Sequence, residues 1–435
     1  MNLFRVYNTL LYLALVCGGP YLIIRSLFDR AFRPVLRRFG PYPTSIRPEG
    51  LWVHAVSVGE VAAAKPLVSA LRDRFPDLPL IVTTSTTTGQ DAAKKAFAGQ
   101  PDVSVTFFPF DVPFAVKRAL SSIRPRALIL LETELWPNVI HQTAAQGIPV
   151  ILLNGRLSAS SMRWYQFIYP LIRYTLAAFD ALGMRSEEDA RRIRQLGADP
   201  SKVVITGNIK FEASILSMSD EQKRKLAREI GLRETERLIV AGSTHPGEED
   251  LVLDVFARLR KQMPTATLLL APRHVARLSE VCDAIRRAGL EFVLRTDRHD
   301  DDEGRQVIVL NTMGELARLY ALGEIAIVGK SFLDNRGGHN PLEPAAAGIP
   351  VLFGPHMENF GDPVEVLRRH GGCIQVDTAD ELYGSCLELL GDRQKREQVG
   401  QRAKEAVISG GGALAKSVEL VQKVLRARRS LFSET

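Results

Sequence analysis

Three short stretches place ionisable side chains where an apolar run gives way to a helical pattern. In LWVHAVSVGEVAAAKPLVSAL, residues 51–71, a lone acid, Glu60, follows the turn Ser57-Val58-Gly59 at the first or second position of a helix. A carboxylate there can steady the helix dipole, worth about 0.3–1 kcal/mol. It also stands at the carboxyl end of a strand, where parallel sheets hold ligands, and could take a proton from a hydroxyl. The dipole lowers its pKa, so Glu60 is expected to be ionised at pH 7 and only weakly basic. Such a base suits a hydroxyl attacking a cation-like centre. LLETELWPN, residues 130–138, puts Glu132 and Glu134 two apart after another strand, among Leu, Trp136 and Pro137. Two like charges held close need a cation or a proton between them. GNIKFE, residues 207–212, supplies such a cation in Lys210, which is either a surface charge or a fixed partner for a carboxylate or phosphate.

The second half of the chain is richer in groups that bind anions and hydroxyls. APRH places Arg273 and His274 straight after a strand. NTMGEL sets Met313-Gly314 at a helix start. GGHNPLEPAAAGIPVLFGPH brings a glycine pair, Asn340, and Glu343 near the head of a helix. Glycine turns before helices offer backbone N–H groups to phosphate, and the acid can accept from ribose hydroxyls. Together these read as a nucleotide site. The chain has no GxxxxGK[ST], HExxH, GxSxG or GxGxxG, which excludes the P-loop, zincin, α/β-hydrolase and dinucleotide signatures. RHDDDEG, residues 298–304, looks like a ligand set for a hard cation. Its position between two strands reads more simply as a solvated loop, and no metal site is expected.

These groups need elements to carry them. Apolar runs at 51–56, 80–84, 104–108, 127–131, 149–153, 180–184 and 203–207 alternate with amphipathic helices such as 62–74 and 86–98. This is the rhythm of a parallel sheet covered on both faces. A helix at 219–230, with Ser219 as its N-cap, leads into a second series at 238–241, 267–271, 291–294, 307–310, 325–328 and 350–353. RLIVAGSTHPGEED opens this series as WVHAVSVGE opens the first. The expected fold is α/β, with two doubly wound Rossmann-like domains facing a central cleft. A last helix, 414–428, is long enough to pack back across their junction.

The chain has 435 residues and a net charge of +7. Residues 1–50 hold seven arginines and two acids, so 7 − 2 = +5 of that excess sits at the amino end. The balanced remainder argues against a nucleic-acid surface. Residues 6–24 carry no charge and approach the roughly 20 residues that span a bilayer, although Gly18-Gly19-Pro20 weakens a straight helix. Arg25, Arg30, Arg33, Arg37 and Arg38 follow, as expected of a retained membrane anchor whose basic arm meets anionic head groups on the cytoplasmic side. Residues 154–176 interleave Arg156, Arg163 and Arg173 with Trp164, Tyr165, Phe167, Tyr169 and Tyr174. This stretch reads equally as a second membrane contact or as a core helix with snorkelling arginines. The four cysteines, at 17, 282, 373 and 386, form no CxxC and fit a reducing compartment.

The motifs HAVSVGE, TTSTTTG, LETELWPN, NGRLS, GNIKFE, STHPGEE, APRH, NTMGEL, GGHNPLEPAA and GPHMENF resemble, in order, those of the 3-deoxy-D-manno-oct-2-ulosonic acid (Kdo) transferases. These are membrane-associated GT-B glycosyltransferases of lipopolysaccharide synthesis. The resemblance implies transfer of Kdo from CMP-Kdo to the tetraacyldisaccharide lipid A precursor at the inner membrane, without cofactor or metal. It implies Glu60 as the base, with Glu132 and Lys210 stabilising the transition state. It implies that CMP is held by Pro272 and Arg273, by Met313, Gly314 and Glu315, and by Asn340, Pro341, Leu342 and Glu343. Direct attack by the lipid hydroxyl would invert the anomeric centre. The implied division is an anchor and arm at 1–40, an acceptor domain at 41–212, a CMP-sugar domain at 213–410 and a returning helix at 411–435. Two other readings stay open on the residues: a GT-B enzyme that uses a UDP-sugar, and a membrane-tethered binding protein without catalysis.

Overall fold

The computed structural model describes residues 2–29, 33–40, 42–43, 46–213, 218–297, 305–333 and 337–433. The chain forms two compact units, Met1–Ala213 with Gly411–Thr435, and Ser214–Gly410.

The first unit holds β1 (Leu51–His54), β2 (Leu80–Thr84), β3 (Val103–Phe107), β4 (Ala127–Leu131), β5 (Val150–Gly155), β6 (Ala181–Met184) and β7 (Val203–Ile205). They form one parallel sheet in the order β3-β2-β1-β4-β5-β6-β7. Alternate residues feed two cores. Trp52, Leu128, Leu130 and Leu152 point to one face, while Leu51, Val53, Ile129 and Ile151 point to the other. Burial on both faces is why these strands read as unbroken apolar runs. The order reverses between β1 and β4, so the loops that leave those two strands diverge and open a crevice at their carboxyl ends.

The second unit repeats the plan with β8 (Arg237–Thr244), β9 (Ala266–Pro272), β10 (Phe292–Leu294), β11 (Val307–Val309), β12 (Ile325–Val328), β13 (Val351–Phe353) and β14 (Cys373–Gln375). The order is β10-β11-β9-β8-β12-β13-β14, again all parallel, and it reverses between β8 and β12. Strand β14 is not anticipated by the apolar pattern. It is three residues long and only partly buried.

Several helices depart from the expected bounds. The first runs unbroken over Asn2–Phe28 with Pro20 inside it, so Gly18-Gly19-Pro20 does not end it. The helix after β1 starts at Val58 with Ser57 as its cap, which puts Glu60 at the third helical position, not the first or second. Ser219 caps Asp220–Ile230 as expected and forms a full capping box with Gln222. The last helix, Ala413–Ser433, packs into the first unit, where Leu420 and Val421 are buried in the core beside β1.

Candidate active site

At the carboxyl edge of the first sheet, four adjacent strands each deliver a charge. Glu132 follows β4, Arg156 follows β5, Arg185 follows β6 and Lys210 follows β7 by a few residues. Lys210 Nζ lies 2.8 Å from Glu132 Oε1. The loop that carries Lys210 is pinned by Asn154, whose Oδ1 accepts from the Ile209 N–H at 3.2 Å. Glu132 itself sits in the left-handed region at φ 56, a conformation that turns its side chain sharply off the strand end. Burial pushes the Glu132 carboxyl up, but Lys210, by charge and hydrogen bond, with Arg185 and Arg156 behind it, brings it below the usual carboxylate range.

Glu60 stands across the reversal point, on the helix that leaves β1. Its carboxylate accepts from the Val56 N–H at 2.8 Å and from the Ser57 hydroxyl at 3.3 Å. The expectation of a depressed pKa is wrong. Burial, then the charge of Glu132, push Glu60 up to about 8, with Glu134 adding to the rise and the Val56 and Ser57 bonds opposing it. The helix dipole loses because the carboxyl is largely desolvated beside other carboxylates. The consequence is a base far stronger than a surface glutamate, protonated over much of the neutral range.

Glu134 is also pushed up, first by burial, and takes a 2.7 Å bond from the Trp136 indole. Near it lies Arg38, which sequence reasoning placed in the basic arm facing lipid. The structure draws it inward: its guanidinium donates to the Phe108 carbonyl at 3.0 Å, lies 4.1 Å from the Phe110 ring centroid and interacts with Glu134. The error has a simple source, because a run of arginines does not show which one turns back into the fold. Arg156, Arg185 and Glu134 are likewise absent from the expected catalytic set. Arg156 and Arg185 directly follow strands and Glu134 lies three residues past β4, and those positions were the available signal. His54, from the same motif as Glu60, is a core residue: fully buried, stacked 3.6 Å from Phe108 and pushed down to about 3 by burial.

In the second unit, Pro272 closes β9, and Arg273 N–H donates to the Thr244 carbonyl at 3.0 Å. Asn340 Nδ2 donates to Glu343 Oε1 at 3.1 Å, and Asn340 Oδ1 accepts from Leu342 N–H at 3.1 Å. Burial raises the Glu343 pKa, with Asn340 and Arg273 opposing. Arg273 and Glu343 therefore share one electrostatic neighbourhood. Met313 is exposed, Gly314 is left-handed at φ 90, and Glu315 pairs with Arg295 at 3.2 Å, so this turn presents main chain more than carboxylate. It follows β11, next to β9 in the sheet. Pro341 precedes the helix Leu342–Ala347, whose six residues make a weak dipole.

Three histidines meet here, of which the sequence pointed only to His274. His245 follows β8, His274 follows Arg273, and His339 precedes Asn340. His245 and His339 approach Nε2 to Nε2 at 2.9 Å, which requires that one Nε2 carry a proton and donate while the other ring is neutral and accepts. The His274 ring lies edge-on to His245 at 5.6 Å. Burial, then Arg273, push His339 down to about 3. The frame beneath them is Glu248, a fully buried carboxylate that accepts from four backbone N–H groups: His245, Lys330, Ser331 and Phe332, at 2.6–3.1 Å. It ties the loop after β8 to the loop after β12. The acidic stretch 298–304 lies outside the described residues. Among the described residues no group of three or more His, Cys, Asp or Glu is arranged to hold a metal.

Two parallel, doubly wound sheets, each with charged and polar side chains at its reversal point, make up an α/β fold of the GT-B type. The fold agrees with the UDP-GlcNAc 2-epimerase of Neisseria meningitidis bound to UDP-GlcNAc, with a TM-score of 0.60 at 14% identity over 86% of this chain and 100% of that one. It also agrees with a glycosyltransferase from Rickettsia africae, with a TM-score of 0.57 at 13% identity over 87% and 99%. In sequence, residues 34–213 match the family described as 3-deoxy-D-manno-octulosonic-acid transferase (kdotransferase). The chain is 36% identical to the 3-deoxy-D-manno-octulosonic acid transferase of Haemophilus influenzae, over 87% of this chain and 88% of the relative. It is 32% identical to that of Bordetella pertussis, over 86% of each. The chain belongs to the 3-deoxy-D-manno-octulosonic acid transferase family of glycosyltransferases.

Proposed function

We propose that this enzyme moves Kdo from CMP-Kdo to a hydroxyl of the tetraacyldisaccharide lipid A precursor, with inversion at the anomeric carbon. The observation that carries the reading is the Glu60 carboxyl, pushed up to about 8 beside the Glu132–Lys210 pair. Ionised Glu60 takes the proton of the acceptor hydroxyl as its oxygen bonds to the anomeric carbon. The bond from that carbon to the phosphate oxygen breaks, and CMP leaves with the electron pair. Positive character on the sugar is offset by Glu132, and Lys210 holds the Kdo carboxylate. Negative charge on the departing phosphate is balanced by Arg273, in the unit that also supplies Pro272, Met313–Glu315 and Asn340–Glu343 to the nucleotide. A single phosphate asks for less neutralisation than a diphosphate, so this scheme includes no metal.

Mass analysis of the lipid formed from CMP-Kdo and the lipid A precursor tests the reading. One or more added Kdo residues is the expected product, and CMP, not UDP, should compete with the donor. Turnover with a UDP-sugar and none with CMP-Kdo would replace the reading, and binding of CMP-Kdo without product would reduce the chain to a binding protein.

A further inference from the structure

A cavity of about 840 Å³ lies at the amino edge of the first sheet, opposite the edge that carries Glu60 and Glu132. Small-molecule sites occupy roughly 300–1,000 Å³. The cavity opens where β1, β4 and β5 begin, between the ends of the helices Val58–Arg74 and Pro137–Ala145 and the side of the returning helix Ala413–Ser433. All of it belongs to one unit. Ligands of doubly wound sheets ordinarily sit at the carboxyl edge, so the candidate active site does not account for this cavity.

Its lining has two parts. Phe75, Leu78, Ile148 and Leu425 are half-buried and apolar. Nearer to solvent stand five arginines, at 74, 124, 126, 426 and 428, against one acid, Glu49. Arg126 pairs with Glu49 at 3.3 Å and Arg428 with Asp180 at 2.7 Å, while Arg74 spends its Nε on the neutral amide of Gln422 at 2.9 Å. Among the described residues Arg74, Arg124 and Arg426 have no carboxylate partner. Helix C-termini attract cations, which accounts for Arg74 and Arg124 at the ends of Val58–Arg74 and Pro113–Ile123. It does not account for Arg426, well inside its helix, or for the apolar trough among the charges. The backbone gives a separate sign. Six non-glycine residues among those described are left-handed. Glu132 and Asn154 serve the candidate active site, and Ser243 and Lys330 stand at the reversal point of the second sheet. The other two, Glu49 at φ 65 and Arg124 at φ 41, both line this cavity. The Glu49 N–H donates to the carbonyls of Ile123 and Arg124 at 3.3 and 3.1 Å, so the two strained residues hold each other. Such strain gathers at ligand sites.

We propose that this cavity is a second ligand site, apart from catalysis, and that its occupant is a soluble amphipathic anion with one acyl tail, the tail lying on Phe75, Leu78, Ile148 and Leu425 and the carboxylate or phosphate head held among Arg74, Arg124 and Arg426. The walls are aliphatic apart from one ring, Phe75, which suits a chain; a base would call for stacking faces and paired donors and acceptors. An anionic head matches arginines that lack acids of their own. The ligand would touch the end of the helix Val58–Arg74, whose first turn carries Glu60, together with the returning helix. Binding should therefore stabilise the first unit against heat. None of this depends on which sugar is transferred.

The test titrates the full chain, in neutral detergent, with decanoate and with decyl phosphate, and with decanol and decyltrimethylammonium as the neutral and cationic counterparts. The anions should bind saturably and raise the melting temperature of the first unit, and the counterparts should do neither. Binding of decanoate alone would make the ligand a fatty acid, and binding of decyl phosphate alone a phosphate ester; each supports the site. Arg124→Glu/Arg426→Glu reverses two exposed charges, and Gln146→Trp narrows the cavity from an exposed position. Each variant should weaken anion binding by about tenfold or more, with circular dichroism and CMP affinity unchanged. Partition into micelles is the same for every variant, so the difference between them reads the site. A decanoate with a diazirine on its chain should form its adducts at residues 75–78, 146–149 or 422–426. Equal binding by decanol, equal binding by both variants, or adducts confined to the helix Asn2–Phe28 would overturn the proposal. So would a dimer by sedimentation that Arg124→Glu/Arg426→Glu disperses and decanoate does not touch, which would give the cavity to a second copy.

Discussion

Glu60 gains its basicity from its surroundings, not from its helix. Position alone predicts an ionised, feeble acceptor. The carboxylates around it and the loss of water reverse that, and the proposed base acquires a pKa of about 8. The activity of a base needs its ionised form, so kcat/KM should rise with pH up to about 8 and then level. Glu60→Gln should lose transfer by at least 1,000-fold while still binding CMP, and turnover near that of the wild type would remove Glu60 from the role. The same shift carries a stability signature. The folded state keeps the proton that the unfolded chain gives up at its ordinary carboxylate pKa, so the stabilisation is full below that pKa and lost as pH rises to about 8. Thermal melts of wild type and Glu60→Gln should therefore diverge over this window, with the Gln variant the more stable at pH 8–9 by up to a few kcal/mol. Arg273 makes a different prediction. Arg273→Ala should weaken CMP binding tenfold or more, since a charge-assisted bond to phosphate is worth about 1.5–3 kcal/mol. An unchanged calorimetric Kd would put the nucleotide elsewhere.

Strands act here as delivery devices, and what each delivers depends on its neighbours. The chain's own echo shows this. Glu60 and Glu248 both lie in the first turn of the helix after the first strand of a sheet, but Glu248 is consumed by four main-chain N–H groups and Glu60 by one, plus a hydroxyl. The first is a clasp and the second keeps capacity for chemistry. Glu248→Gln turns an acceptor pair into one acceptor and one donor, facing N–H groups that then lack partners. It should lower the stability of the second unit by about 2 kcal/mol and weaken CMP binding as the loops after β8 and β12 separate. A calorimetric trace matching the wild type would deny the clasp. The strands themselves were legible because burial on both faces writes apolar runs into the sequence, as at 80–84 and 127–131, whose bounds agree residue for residue. Strand β14 was not, since a half-buried three-residue edge leaves no run to see. Positions of Glu132 and Lys210 could be read from strand ends, but their 2.8 Å contact could not, because it depends on β4 and β7 lying in one sheet. The stretch 154–176 divides between its two readings. Arg156 turns inward to the Glu132 group and Tyr165 packs against the core, while Trp164 and Phe167 face outward. Periodicity alone does not separate a core face from a lipid face when both are apolar.

At the scale of the whole chain, the first unit is discontinuous. The chain leaves it after Ala213, builds the second unit and returns at Gly411. The returning helix completes a core. Glu212 accepts from the N–H groups of Gly412 and Leu414 at 2.7 and 2.9 Å, so the last residues before departure cap the helix formed on return. Leu420 and Val421 are buried against the helix Val58–Arg74, which carries Glu60. Arg74 donates to Gln422 at 2.9 Å and Arg428 to Asp180 at 2.7 Å. Each fully buried Leu or Val contributes about 1.5–3 kcal/mol, and a domain's whole margin is only about 5–15 kcal/mol. Deleting residues 411–435 should therefore remove the cooperative melting of the first unit and abolish transfer. The second unit is internally complete, and it should keep its melting transition and its affinity for CMP. Scanning calorimetry of the truncated chain, with and without CMP, checks both halves of this. Retention of every transition would make the last helix an appendage, and loss of every transition would mean that the second unit cannot hold its fold once the first has lost its core.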